Sequence, residues 1–171
     1  MGLSPLEEAN LAGATRQFDA ALDGYRRYLS AEVKGENESY TWRTAARAAL
    51  RITVRVKHDR EATAALLSGL EAQRGLPPYL KDYLVAWRRD LEVWKADRTD
   101  PTTAAPAALV AKARELIGSV DGWFGDELPD IPLSRAMRYL HEALNREPQG
   151  KQRPEALLLL GLASSGPFDP F

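Results

Sequence analysis

Arginine recurs every fourth residue at Arg43, Arg47, Arg51 and Arg55. In a helix that spacing keeps one face, because four residues turn by about 400°. Guanidinium groups in a row can grip carboxylates or phosphates through paired hydrogen bonds. The stripe is therefore a candidate basic ridge for an acidic partner, a phosphate or a nucleic acid. Lys57 and Arg60 extend it, and only Asp59 opposes it. Two plainer arrangements stay open: a solvated helix face, or arginines paired with acids of a neighbouring helix such as Asp19 and Asp23, which are also four apart.

Tyr79, Tyr83, Trp87 and Trp94 form a second constellation. Aromatic rings anchor binding grooves and also fill cores. Interleaved with Leu80, Leu84 and Leu91, these favour a core role, with Tyr79 near the helix start as the exposed member. Candidate partner contacts are thus Arg43, Arg47, Arg51, Arg55 and Tyr79. Asp121, Asp126, Glu127 and Asp130 make an acidic loop, but their spacing departs from the calcium-loop pattern D-x-D/N-x-D/N-G. Trp123 and Phe124 in that loop either tuck into a core or make a sticky surface.

Reactive groups are sparse. Cysteine is absent, which excludes disulfides and cysteine-ligated zinc or iron–sulfur centres. His58 and His141 have no second ligand at a metal-binding spacing, and Asn145 stands where H-E-x-x-H needs its second histidine after His141-Glu142. His58, at a helix end, suits stabilisation of that terminus when protonated. No nucleophile elbow, phosphate loop or dinucleotide fingerprint occurs. The expectation is a protein without catalytic residues, metal or cofactor.

The elements that must position these side chains are helices. Ala and Leu outnumber Val and Ile fivefold, which favours helix over strand. Ser4-Pro5-Leu6-Glu7 is a capping box with proline at the first helical position. Periodic apolar residues predict helices over about 4–29 (with Gly13 a breaking point), 39–58, 60–74, 77–96, 106–120, 132–146 and 154–164. In the second, Trp42, Ala45, Ala49, Ile52 and Val56 form the apolar stripe opposite the arginines. Residues 97–106, rich in Thr, Asp and Pro, form the best internal linker within a single helical domain spanning 1–171. Short connections make sequential helices antiparallel. The expected fold is all-α, with about seven helices in antiparallel hairpins, stacked as a right-handed solenoid or closed into a compact bundle.

Ala136, Leu140, Ala143 and Pro148, spaced by four, three and five residues, resemble the second helix and closing proline of a tetratricopeptide repeat. Phe18, Ala21 and Tyr25 look like the same half-motif, although Tyr28 replaces the small residue and no proline follows. The first-helix half of the motif is not matched before Ala136. The resemblance covers about a fifth of the chain, and the middle from 39 to 120 shows no such repeat. It implies a protein-interaction scaffold and not a catalyst; the reading of the whole chain adds a module of bacterial type.

With 23 basic and 24 acidic residues and a net charge of -1, the 171-residue chain has no global attraction for nucleic acid. No apolar run reaches a membrane span. A soluble protein is expected, cytoplasmic, or periplasmic if a signal peptide was removed, because the N-terminus itself lacks a signal pattern. Leu157 to Leu160 are apolar all round, so the last helix needs cover from the Phe168 and Phe171 rings, a continuation of the chain, or another subunit. A homo-oligomer through that helix, or a fragment of a longer chain, is therefore expected. The leading function is a non-enzymatic interaction module of helical hairpins with a protein partner. The alternatives are a small-molecule-binding regulatory domain, lined by Tyr83, Trp87 and Trp94, and nucleic-acid binding through the ridge 43–60.

Overall fold

A computed structural model describes residues 2–31, 36–120 and 130–164. Among these the protein is all-α, with eight α-helices and no strand. The loop residues Asp121, Trp123, Phe124, Asp126 and Glu127, and the tail residues Phe168 and Phe171, lie outside the described residues, as does the Asp130 side chain. The chain divides into two compact units whose boundary in sequence falls between Leu91 and Glu92.

In the first unit, Ser4 caps α1 (Pro5–Ala14): its hydroxyl accepts from the Glu7 N–H while the Glu7 carboxylate accepts from the Ser4 N–H at 2.8 Å. The Ser4 N–H and hydroxyl, both donating to the carboxylate, hold the Glu7 carboxyl below the usual glutamate range. The expected break after Gly13 comes slightly later, at Thr15 to Gln17, where Arg16 turns the chain with φ 58°. α2 (Phe18–Leu29) then packs back on α1. Gly24 makes that contact close, since a Cβ there would meet the Ala9 Cβ at 2.8 Å. Tyr25 donates to Asn10 at 2.9 Å, and burial pushes its phenol above the usual range.

α3 (Glu36–Arg51) begins earlier than the periodicity suggests and lies against α2. Its buried arc is broad, including Ala46 and Leu50 as well as Trp42, Ala45 and Ala49. The Trp42 indole donates to Gln73 at 3.1 Å, fixing α3 to the exit of α4. After Arg51 the helix widens into one π turn, Ile52–Val56, in which the Lys57 N–H reaches the Ile52 carbonyl at 3.0 Å. A π turn holds one residue more than an α turn, so it rotates the chain beyond it. Ile52, Thr53 and Val54 are buried in succession, and Val56, expected in the core stripe, is instead 40% exposed.

Side-chain oxygens fix this turn to α4 (Arg60–Glu71). Thr53 donates back to the Leu50 carbonyl at 2.8 Å. The Thr63 hydroxyl lies 2.9 Å from the Thr53 hydroxyl and 2.6 Å from the Asp59 carbonyl, its single proton serving one at a time. Both threonines are fully buried. His58 carries the reversal with φ 49°, its Nδ1 2.9 Å from the Val54 carbonyl, and Asp59 caps α4 through the Ala62 N–H. Gly75, at φ 78°, precedes α5 (Pro78–Ala96), where Leu80, Leu84 and Leu91 are buried. Arg88 of α5 grips Glu71 and Ser68 of α4.

The second unit holds the end of α5 with α6 (Pro106–Gly118), α7 (Asp130–Arg146) and α8 (Arg153–Ser164). α6 packs on α7, and α8 touches both. Their core joins Leu109, Val110, Ala113, Leu116 and Ile117 to Leu133, Ala136, Leu140 and Ala143, closed by Ala156, Leu159 and Ala163. Residues 97–106, read from sequence as a linker, are built as Asp-anchored turns. Asp97 accepts from the Thr99 N–H at 2.9 Å and Asp100 from the Thr102 N–H at 2.8 Å. Asp97 also forms an ion pair with Arg135 of α7 and accepts from the Tyr139 hydroxyl at 3.0 Å. The two charged side chains are almost wholly buried.

Two outcomes are expected in thermal or denaturant unfolding. Thr63→Val, which keeps the shape but removes the hydroxyl, lowers stability by about 1 kcal/mol. Arg135→Met strands the Asp97 carboxylate and costs about 3–5 kcal/mol, whereas Arg135→Met with Asp97→Leu recovers most of that loss. An equal loss in both variants would show that the pair is not the source.

Candidate partner-binding surface

Arg43 and Tyr79, both candidates from their sequence positions, belong to one surface of the first unit. Helical spacing places Tyr40 three residues before Arg43 on α3 and Tyr79 four residues before Tyr83 on α5. Packing brings the two helices together so that the Arg43 guanidinium carbon lies 6.0 Å from the centroids of both the Tyr40 and Tyr83 rings. Rings at that distance attract a cation through their π faces and hold its direction. Tyr83 is set in turn by Trp87, edge to face at 69° with centroids 6.4 Å apart. Trp87 is buried, Tyr83 and Arg43 are half-buried, and Tyr40 and Tyr79 are 66% and 49% exposed. The arrangement has an apolar foot, a positioned cation and two exposed phenol rings.

Arg47, Arg51 and Arg55 continue from Arg43 along roughly 18 Å of helix axis. All four arginines are half-buried, and each is held by a polar, ring or electrostatic contact. Arg43 is near the edge of the broad buried arc beside Leu50, and Arg55 sits on the π turn. The suggested acidic partners are engaged elsewhere: Asp19 pairs with Lys57, and Asp23 pairs with Arg26 at 3.4 Å. The Lys57 ammonium holds the Asp19 carboxyl below the usual range.

Nothing among family models, curated proteins or solved structures matches the chain. Its chemistry must therefore be read from its own side chains. Trp94 of the aromatic set is buried, as is Trp87. In the second unit, a shallow notch beside Pro106, Ala143, Leu144, Gly150 and Ala156 encloses no space for a ligand. His141 is exposed on α7, and among the described residues no three His, Asp or Glu converge as a metal site. No described helix is long and apolar enough to cross a membrane.

Tyr40 is absent from the sequence-based candidates, although its position three residues before Arg43 is a usable signal. α5 also carries an acid whose state is set by its surroundings. Burial pushes the Asp90 carboxyl above the usual aspartate range, and Arg89, at 3.4 Å, offsets part of that rise. A carboxyl with a raised pKa in the fold costs stability where it must ionise, so the cost is present above the folded-state pKa and vanishes as pH falls below the unfolded one. Asp90→Asn is therefore expected to raise the melting temperature at neutral pH, with the gain shrinking toward zero in acid. A gain that does not depend on pH would assign the effect to something other than the charge.

Proposed function

We propose that the protein is a non-enzymatic interaction module that docks a protein partner on the Arg43, Tyr40, Tyr79 and Tyr83 surface of α3 and α5. The supporting observation is the guanidinium held between two tyrosine rings from different helices, with the exposed Tyr79 one helical turn before Tyr83. Tyr and Arg are the residue types that carry most of the energy of protein interfaces, because they offer large contact area together with directed polar groups. The basic stripe continuing through Arg47 favours an acidic partner surface.

Unit two supports the hairpin half of this reading. Ala136, Leu140 and Ala143, the residues that resemble a tetratricopeptide second helix, lie in the core, and α8 packs on both α6 and α7. Small residues at such positions let helix pairs approach closely. A tetratricopeptide-like stack of hairpins serving as a scaffold is therefore part of the proposal. The half-buried stripe supports nucleic acid less well, since phosphate tracking needs cations presented to solvent along a groove.

Proximity labelling with the full chain identifies the partner, and titration calorimetry measures its affinity. The triple variant Arg43→Gln, Arg47→Gln, Tyr79→Ala is expected to keep its helical circular dichroism and to bind at least about tenfold more weakly, a loss of roughly 1.4 kcal/mol or more. An unchanged affinity in the folded variant would remove this surface from the function.

A further inference from the structure

α8 has an outer face without a single charge. Pro154, Leu157, Leu158, Gly161 and Leu162 all project away from the core formed by Ala156, Leu159 and Ala163. Leu157 is 45% exposed, Leu158 64% and Leu162 42%. A solvent-facing helix ordinarily carries polar residues on its outer face. Here the one acid of the helix, Glu155, is turned sideways to Arg114 of α6, with 2.7 Å between the guanidinium Nε and the carboxylate. A Cβ added at Gly161 would meet nothing within 4 Å, so the middle of this face is an open notch in the helix surface.

We infer that this face pairs with α8 of a second copy of the chain, antiparallel, about a two-fold axis midway between residues 158 and 161. The pattern Leu157-Leu158 followed by Gly161-Leu162 complements itself in that register. Each Leu158, the most exposed of the three leucines, falls over the Gly161 notch of the other copy. Each Leu157 meets Leu162. Two-fold symmetry requires one patch to fit itself, and a large residue opposite a missing side chain does so twice. The uncharged face meets its copy without burying an ion, and antiparallel helices oppose their dipoles favourably. Glycine also lets the axes come within the 8–10 Å of packed helices.

The size of the contact sets its strength. Twelve residues make α8 roughly 18 Å long. A strip of that length and about 10 Å width falls well below the roughly 800 Å² per partner of a standard stable interface. The dimer is therefore weak and depends on concentration.

Sedimentation velocity and light scattering of the full chain test this over a wide concentration range. The expected result is a mass that rises from monomer toward dimer and stops there. Leu158→Glu is expected to stay monomeric. Gly161→Leu is the sharper test, because it adds apolar surface but fills the notch. It is expected to keep or raise the melting temperature, since the site is open and leucine favours helix more than glycine does, while moving the association midpoint at least about tenfold higher, roughly 1.4 kcal/mol. A chain that is monomeric throughout overturns the inference, whether another protein's helix or a lipid surface then covers α8. So does a mass that climbs past dimer, or a Gly161→Leu variant that associates as well as the parent. None of these results bears on Arg43 and Tyr79, which lie in the other unit.

Discussion

One hydrogen bond, from the Lys57 N–H to the Ile52 carbonyl, governs the geometry of the first unit. It closes a turn with one residue too many for an α-helix, and everything beyond it is rotated. Across it three consecutive residues are buried and Val56 faces outward. It also delivers the chain to His58, whose left-handed backbone would be costly if the neighbouring carbonyl did not hold its ring. The two buried threonine hydroxyls bond to each other and so join the turn to α4. The direction of α4 and the seat of the Trp42 indole against Gln73 depend on this local irregularity.

Much of the fold can be read in the residues because helix ends have local causes. The Ser4–Glu7 box, the Asp59 cap and the proline starts of α1, α5 and α6 all act within four residues, and the helices begin at or within a residue of where those signals place them. The π turn is not legible in the same way, because Thr53 gives no warning until Thr63 is folded against it. Nor is the half-burial of the arginines. A helical wheel drawn on Trp42, Ala45 and Ala49 puts them opposite the core, but Ala46 and Leu50 are buried too, and the wider arc reaches their edge. Tyr40 is only half legible for a related reason: its spacing from Arg43 is local, but the Tyr83 ring on the other side of Arg43 comes from α5.

The last helix makes the contrast in the other direction. Four consecutive leucines read as a helix buried on several sides, yet the fold uses only part of that apolar surface. Leu159 enters the core, Leu160 is half-buried, and Leu157 and Leu158 face outward. Periodicity reports how much apolar surface a helix owns but not how many neighbours will come to cover it. Here α6 and α7 satisfy one side and leave an uncharged strip on the other.

Asp97 also has a consequence in time. Its cation, Arg135, lies 38 residues further along the chain. A carboxylate cannot leave water until its partner arrives, because the desolvation cost exceeds anything the surrounding turns return. A lone helix of 13 residues is marginal in water, so α6 and the 97–106 turns draw their stability from the packing that α7 supplies. Closure comes with the arrival of α7, when the guanidinium, the Tyr139 hydroxyl and the leucines beside them are delivered on one helix in one step. The pair thus ties the burial of the 97–106 turns to the presence of a single helix.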